Sequence, residues 1–396
     1  MIINKLEMFN FRQYVGHQTV TFSTDKHKNV TVLVGINTSG KTTLVRAFEW
    51  CLYGKNGFDD PVLLNSDVRA NMNTGDRQET WVAVTFTHDE KVYTIKRTHR
   101  YTCTERKKSS DGIEVALQKK PEEQLSLVYL QNDGQTKTPI DRSNINESMD
   151  RVLPRDLSDY FFFGGERISG IANRTDLTKA VRGLMGLDIL ENARDHLSKV
   201  LKSFQASIDT SGDASAQRAR DAIETYNQQL AVYETYQQKE ATVRTQLQNR
   251  VNENFSKMYH GERSITIDDK YRVRYTDVKT EESDGLKAVK SFAFIASLVS
   301  MAKDKILDDA EMQLGQEYPI VMDAPFSNVD EIHINNICQI LPNTANQVIM
   351  AVMKKDWDYA ADNLAGFVGM SYLISKDTDA DGNEIETSTH IVRAEV

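Results

Sequence analysis

Cysteine, surplus positive charge and long apolar runs are all scarce in this chain, and each shortage excludes something. Three cysteines, Cys51, Cys103 and Cys338, lie far apart in 396 residues. They suggest neither a disulfide framework nor a paired CxxC metal site, and they read as reduced thiols. A net charge of -9 argues against a chain-wide nucleic-acid coating, although a local basic surface is compatible with it. No apolar run approaches the ~20 residues that cross a bilayer. The start, Met1-Ile2-Ile3-Asn4-Lys5, lacks the pattern of a signal peptide. A cytoplasmic protein with no membrane partner is expected. The eight histidines are scattered without an HExxH or triad-like arrangement, and no nuclease centre is visible.

What is present is a phosphate-binding loop. Gly35-Ile36-Asn37-Thr38-Ser39-Gly40-Lys41-Thr42 fits G-x-x-x-x-G-K-[ST], followed by Thr43. In such a loop the glycines let backbone N–H groups close around phosphate oxygens. Lys41 neutralises the β- and γ-phosphates, the Thr42 hydroxyl ligates Mg2+, and a helix N-terminus adds its positive end. The flanks agree. Val30 to Val34 reads as a buried strand, and Leu44, Ala47, Phe48 and Cys51 recur at helical spacing until Gly54, a candidate αL cap.

A P-loop also needs a second strand whose terminal Asp holds the Mg2+ water shell. Tyr318-Pro319-Ile320-Val321-Met322-Asp323 supplies it, 282 residues after Lys41. Between the two motifs the pattern changes twice. The first forty residues alternate as an edge hairpin does, and Trp81 to Phe86 and Lys91 to Tyr101 read as a meander; Thr104 to Asp111 reads as charged and turn-rich. From Thr175 to about Ile208, Leu177, Val181, Leu184, Leu187, Leu190, Leu197 and Leu201 recur at helical steps. A second helical run over 216–259 places Ile223, Tyr226, Leu230, Tyr233, Leu247 and Val251 near heptad spacing, with Ser211 to Ser215 as a turn between the runs. Short strands (Ser264 to Ile267, Tyr271 to Tyr275) and a long apolar helix from about Leu286 to Leu307 follow, then strands at Gln347 to Val352 and Met370 to Ile374.

The fold class expected is α/β: a two-lobed P-loop ATPase head split by an antiparallel coiled-coil insertion. The divisions are an N-terminal lobe over 1–185, an arm base over 186–255 and a C-terminal lobe over 256–396. No CxxC between 200 and 250 offers a zinc hook. Either the arm is naturally short or the distal coiled coil is missing from this sequence, and the weak patterning near Ser211 favours the second.

The sequence resembles the SMC-like ABC ATPases, and within them the branch with the DNA-phosphorothioation protein DndD and the SMC-like subunit of Lamassu anti-phage systems. The resemblance rests on Met1 to Leu6 with Asn10-Phe11-Arg12, on Tyr160-Phe161-Phe162-Phe163-Gly164-Gly165-Glu166-Arg167-Ile168, and on Met322-Asp323-Ala324-Pro325-Phe326. It covers roughly 1–185 and 255–375. It implies that ATP and Mg2+ are bound and that Arg12 approaches the nucleotide. It further implies that Gly164 to Glu166 senses the γ-phosphate, that Ser283-Asp284-Gly285 is a signature segment for the ATP of a second copy, and that Asn328-Val329-Asp330 crosses the dimer interface. Read without it, Ser283 is an N-cap with turn residues, and Phe161 to Phe163 a core strand.

Four departures weaken catalysis. Ala324 stands where many heads carry the Glu that polarises water, and it cannot act as a base. Gly164 replaces the usual Gln or Asp of the sensor, Leu286 the Gly-Glu or Gly-Gln continuation of the signature, and Met353-Lys354-Lys355 the switch histidine. Hydrolysis is expected to be slow and dimer-dependent, with Glu166 or Asp330 positioning water. The implied role is an ATP-dependent head pair that senses or clamps double-stranded DNA and controls a nuclease effector, with an accessory subunit, in bacterial anti-phage defence. A DNA-modification or repair ATPase and an ATP-gated scaffold with little turnover are the alternatives. Two weaker signals remain. Asp377-Thr378-Asp379-Ala380-Asp381-Gly382 imitates an EF-hand loop, but Ser388 stands at its twelfth position, so a hairpin turn is expected. Lys96-Arg97, His99-Arg100 and Arg106-Lys107-Lys108 suggest either a positive stripe for DNA phosphates or a solvated hairpin.

Overall fold

The computed structural model describes residues 1–109, 112–131, 134–172, 177–184, 199, 238–277, 282–304 and 318–394. Two sheets organise them. The first is antiparallel and contains β1 (Ile2–Phe11), β2 (Tyr14–Thr21), β4 (Arg77–His88), β5 (Lys91–Ser109), β6 (Gly112–Leu117), β7 (Glu122–Leu130) and β8 (Lys137–Pro139). Its order is β2-β1-β4-β5-β7-β8, with β6 paired to β5. The second contains β3 (Val30–Gly35), β9 (Phe162–Gly164), β12 (Pro319–Asp323), β13 (Gln347–Val352), β14 (Val368–Thr378) and β15 (Glu384–Arg393), in the order β15-β14-β3-β13-β12-β9. It is parallel except for the β14–β15 hairpin. A short antiparallel pair, β10 (Ile265–Ile267) and β11 (Val273–Tyr275), stands apart.

The Lys41–Tyr53 helix lies between the two sheets, which is why it is apolar nearly all round. Trp50 packs on Phe11 of β1 at 5.3 Å, while Phe48 stacks on Phe162 of β9 at 5.8 Å. Gly54, at φ 71, ends the helix and donates its N–H to Trp50 O. Arg97 Nε donates to Cys51 O beside it, placing a cation at the negative end of the helix.

The parallel sheet interleaves the two ends of the chain. β3 is flanked by β13 and β14, both from the C-terminal side of the sequence. Buried Gln347 clasps the N-terminal hairpin: Ile3 N–H donates to its Oε1, and its Nε2 donates to Ile3 O and Ser23 O. Asn29 Nδ2 likewise donates to Pro342 O and Ala345 O. One contiguous core spans both sheets.

Several expectations change. Ile3 to Phe11 and Thr19 to Phe22 do form a hairpin at the edge of their sheet, with β2 outermost, and it leads into β3 of the other sheet. Thr104 to Ser109 is strand, not turn, because β5 runs through Ser109 and pairs with β6. The basic stripe is broken up by strand alternation. Arg97 is buried and paired with Glu123, Arg100 meets Glu79 and Glu122, Lys107 meets Glu105, and Lys96 lies 3.8 Å over the Trp81 ring. The Asp284–Lys303 helix is long and apolar enough by composition to cross a bilayer, contrary to the sequence reading, yet 83% of its apolar window is buried inside the protein. Its side chains are core, and the short helix Gly165–Ile171 packs on it, with Phe163 edge-on to Phe292 at 6.5 Å.

The helical insertion is described only at its base. Leu177, Val181 and Leu184 are buried as their spacing predicts. Leu247 and Val251 belong not to a free seam but to the head core, together with Val243, Phe255 and Met258 on a helix over 238–258. Leu187, Leu190, Leu197, Leu201, Ile223, Tyr226, Leu230, Tyr233 and the Ser211 turn lie outside the described residues. The EF-hand imitation is the expected hairpin turn: Asp379 Oδ1 accepts from the N–H groups of Asp381 and Asn383 between β14 and β15.

Candidate nucleotide site

β3 carries the loop to the C-terminal edge of the parallel sheet, and the helix starting at Lys41 turns it back. Thr38 at φ 63 and Gly40 at φ 107 give the loop its closed shape. A Cβ on Gly40 would meet the Tyr14 hydroxyl at 2.8 Å. Tyr14 is fully buried and donates to Gly40 O at 3.0 Å, fixing the loop against the β1–β2 turn. Burial, with the Asp323 carboxylate second, pushes the Tyr14 phenol far above its ordinary range, so it stays a donor.

A cleft of about 530 Å³ opens above the loop. Asn37, Thr38, Gly40, Lys41, Thr42 and Thr43 line it on one side, and Gly164, Gly165, Asp323, Ala324 and Met353 on the other. The shared register of β9 and β12 places Gly164 beside Asp323, while β13 sets Ala351 on its other flank. The P-loop and the distant Asp therefore meet as the sequence predicts, because β13 alone separates β3 from β12.

The residues fit a triphosphate with Mg2+. Lys41 is nearly buried, and its ammonium donates to the loop's own carbonyls, Gly35 O at 2.9 Å and Ile36 O. Burial lowers its pKa, against the raising effect of Asp323 and Asp356. Ser39 Oγ is buried without a hydrogen-bond partner among the described residues, a cost that a ligand oxygen would remove. Thr42 is exposed and lines the same cleft as Asp323, the two residue types that hold Mg2+ in such a site.

The other expected residues are placed differently. Arg12 does not line the cleft. Its guanidinium donates to Val62 O, pairs with Asp60 at 3.6 Å and covers the Phe58 ring, lining a neighbouring cavity instead. Gln13 is the residue of this turn that reaches the loop, accepting from Thr43 Oγ1 at 3.0 Å. Glu166 is in the first turn of the Gly165 helix, but its side chain lies outside what the structure describes. Ala324 has φ 45, a sparsely populated conformation for a residue with a Cβ, and its carbonyl accepts from Ser327 N–H and Oγ. Gly165 is locked against that carbonyl: a Cβ there would sit 2.0 Å from Ala324 O.

Ser283, Gly285 and Asp330 lie outside the cleft lining. Ser283 is the N-cap of the Asp284–Lys303 helix, its Oγ accepting from Leu286 N–H at 3.2 Å, which leaves the hydroxyl proton for another acceptor. Gly285 backs onto Asn328, where a Cβ would come within 3.2 Å of the carbonyl. Asp330 caps the Glu331–Thr344 helix through His333 N–H and pairs with His333 Nδ1 at 2.7 Å. Met353, read as the replacement for the switch histidine, does line the cleft, whereas sequence reading missed Gln13, Tyr14 and Asp356. The last is buried four residues beyond β13, its Oδ2 without a hydrogen-bond partner among the described residues. None of these three sits in a motif spacing, and only the sheet order brings them to the loop.

The fold and the cleft together define a split P-loop head: a phosphate loop from one end of the chain, a carboxylate strand from the other, and helices between. Residues 5–253 match the AAA domain family (AAA_23), more than half of the chain, and the protein belongs to that family. No curated protein matches it. Among solved structures it is similar to the Smc head domain with an extended coiled coil from Pyrococcus furiosus, bound to the C-terminal domain of ScpA. The identity is 14%, the TM-score 0.56, and 99% of this chain and 96% of that chain are covered. An Smc head bound to the C-winged helix domain of ScpA gives 14% identity and a TM-score of 0.56, over 100% and 99%. At this identity the likeness is one of fold, and the fold is that of SMC heads.

Proposed function

We propose that the protein is an SMC-like ATPase subunit that binds ATP with Mg2+, pairs head to head with a second copy, and hydrolyses slowly. One observation carries this reading. Lys41, Thr42 and Asp323 share one cleft, whereas Ser283 and Gly285 lie outside it, Gly285 against Asn328 of the same chain. A signature segment that is not part of its own chain's cleft is supplied to a second copy. In this reading Gly35, Asn37, Ser39, Gly40, Lys41 and Thr43 hold the phosphates, Thr42 and Asp323 hold Mg2+, and Mg2+ supplies charge neutralisation. Glu166 and Asp330 are left to position water. Ala324 accounts for the slow rate. The fold of relatives that were solved with ScpA supports an accessory subunit. The opening residues and the Tyr160 to Ile168 block support the defence role, with double-stranded DNA sensed or clamped and a nuclease effector controlled.

Phosphate release measured against protein concentration tests it. Specific activity should rise with concentration as heads pair, and double-stranded DNA should shift that curve. Ala324→Glu should raise the paired rate by roughly 100-fold, the low end of what a general base contributes. A concentration-independent rate would remove the head pair from the reading.

A further inference from the structure

The Asp284–Lys303 helix carries a lysine that the nucleotide cleft does not use. Lys290 is 1% exposed and its ammonium donates to both carboxylate oxygens of Glu282, at 2.9 and 2.8 Å. The same ammonium lies 4.9 Å over the Tyr275 ring of β11, whose other contacts include the Arg263 guanidinium at 5.1 Å. A buried cation is tolerated only when it is paired, and Glu282 and the Tyr275 ring are the partners that offset its burial.

Glu282 immediately precedes Ser283. Side chains on a helix lean toward its N-terminus, which lets Lys290, two turns in, reach back past the first turn. Tyr275 adds a second tether, its hydroxyl donating to Leu286 O at 3.4 Å. The segment is thus gripped at both ends, at Glu282 and at Leu286, with Ser283 and Gly285 between.

We propose that Lys290 is a positioning residue that sets the direction of the Ser283 hydroxyl and the Gly285 N–H. Its partner group is then the terminal phosphate of a nucleoside triphosphate held by a second copy. The inference rests on the proposed role of Ser283 to Gly285. The lysine acts through Glu282 and touches no nucleotide. Replacing it with methionine preserves the buried stem but leaves Glu282, 24% exposed, free to turn to water.

The test compares Lys290→Met and Glu282→Gln with the parent full chain. In nucleotide-free protein, hydrogen exchange over 282–287 should quicken by roughly tenfold in Lys290→Met and by less in Glu282→Gln, with residues 35–43 unchanged. ATP binding should stay within about twofold, while ATP-dependent pairing weakens by roughly tenfold. Unchanged exchange over 282–287 overturns the proposal, as does pairing equal to the parent's. Should Lys290→Met fail to fold, Glu282→Gln carries the same two readouts. A parent that never pairs with ATP overturns the proposed function instead, and the exchange measurement still decides whether Lys290 holds the segment.

Discussion

The P-loop cleft and the Ser283 to Gly285 segment, the two halves of the proposed composite site, are built on different principles. The cleft is set by backbone: three parallel strands, a loop with two positive-φ residues and a helix packed between sheets fix every wall. The segment is set by side chains, an N-cap hydroxyl, a buried ion pair and a tyrosine hydroxyl. The first gathers Lys41, Thr42 and Asp323 from one chain. The second lies outside that cleft and, in the function proposed above, acts on the nucleotide of another copy.

Substitutions that separate the halves should rank accordingly. Lys41→Ala removes the only cation of the loop and should weaken ATP binding by roughly 100-fold, about 2.7 kcal/mol, measured by titration calorimetry. Ser283→Arg should leave that affinity within about twofold yet weaken ATP-dependent pairing by roughly tenfold in sedimentation. Equal losses of binding in both variants would erase the distinction between the halves. Gly165→Ala forces a Cβ onto Ala324 O and should cost about 2 kcal/mol, seen as a drop in Tm, because that carbonyl belongs to the rigid half.

The smallest effect is a pH dependence. Burial pushes the Asp356 carboxyl above its ordinary value of 3.8, with Lys355 and Lys41 opposing. A raised native pKa means that its contribution is fully present below 3.8 and is lost as pH rises through the native value. Asp356→Asn should therefore raise Tm at pH 7 by roughly 1–3 °C, an advantage that vanishes in thermal melts below about pH 4.

The backbone-built half was the more legible in the sequence. Loop motifs constrain residue types at fixed spacing, so Gly35 to Thr43 and the strand ending at Asp323 announce themselves and predict a common cleft. Ser283 was legible as an N-cap, which it is, and its signature role belongs to the function proposed above. Arg12 misled because its position near the loop was right while its side chain finds Asp60 and Val62 O first. Arg97 misled because neighbouring strand residues face opposite ways, so a basic run is not a basic face. Lys290, Tyr14 and Asp356 were invisible, since each acts across elements that only sheet order and helix packing bring together.

The interleaving of β3 between β13 and β14 has a consequence for how the protein is made. Asn29 and its partner Pro342 are 313 residues apart. During synthesis at roughly 5–20 residues per second, the Val30–Gly35 strand waits tens of seconds with neither parallel neighbour available. Its side chains are mostly apolar and its backbone N–H and C=O groups have no parallel partner through that interval, a condition under which nascent chains aggregate. The last strands to emerge therefore complete the sheet around the Gly35 to Thr43 loop.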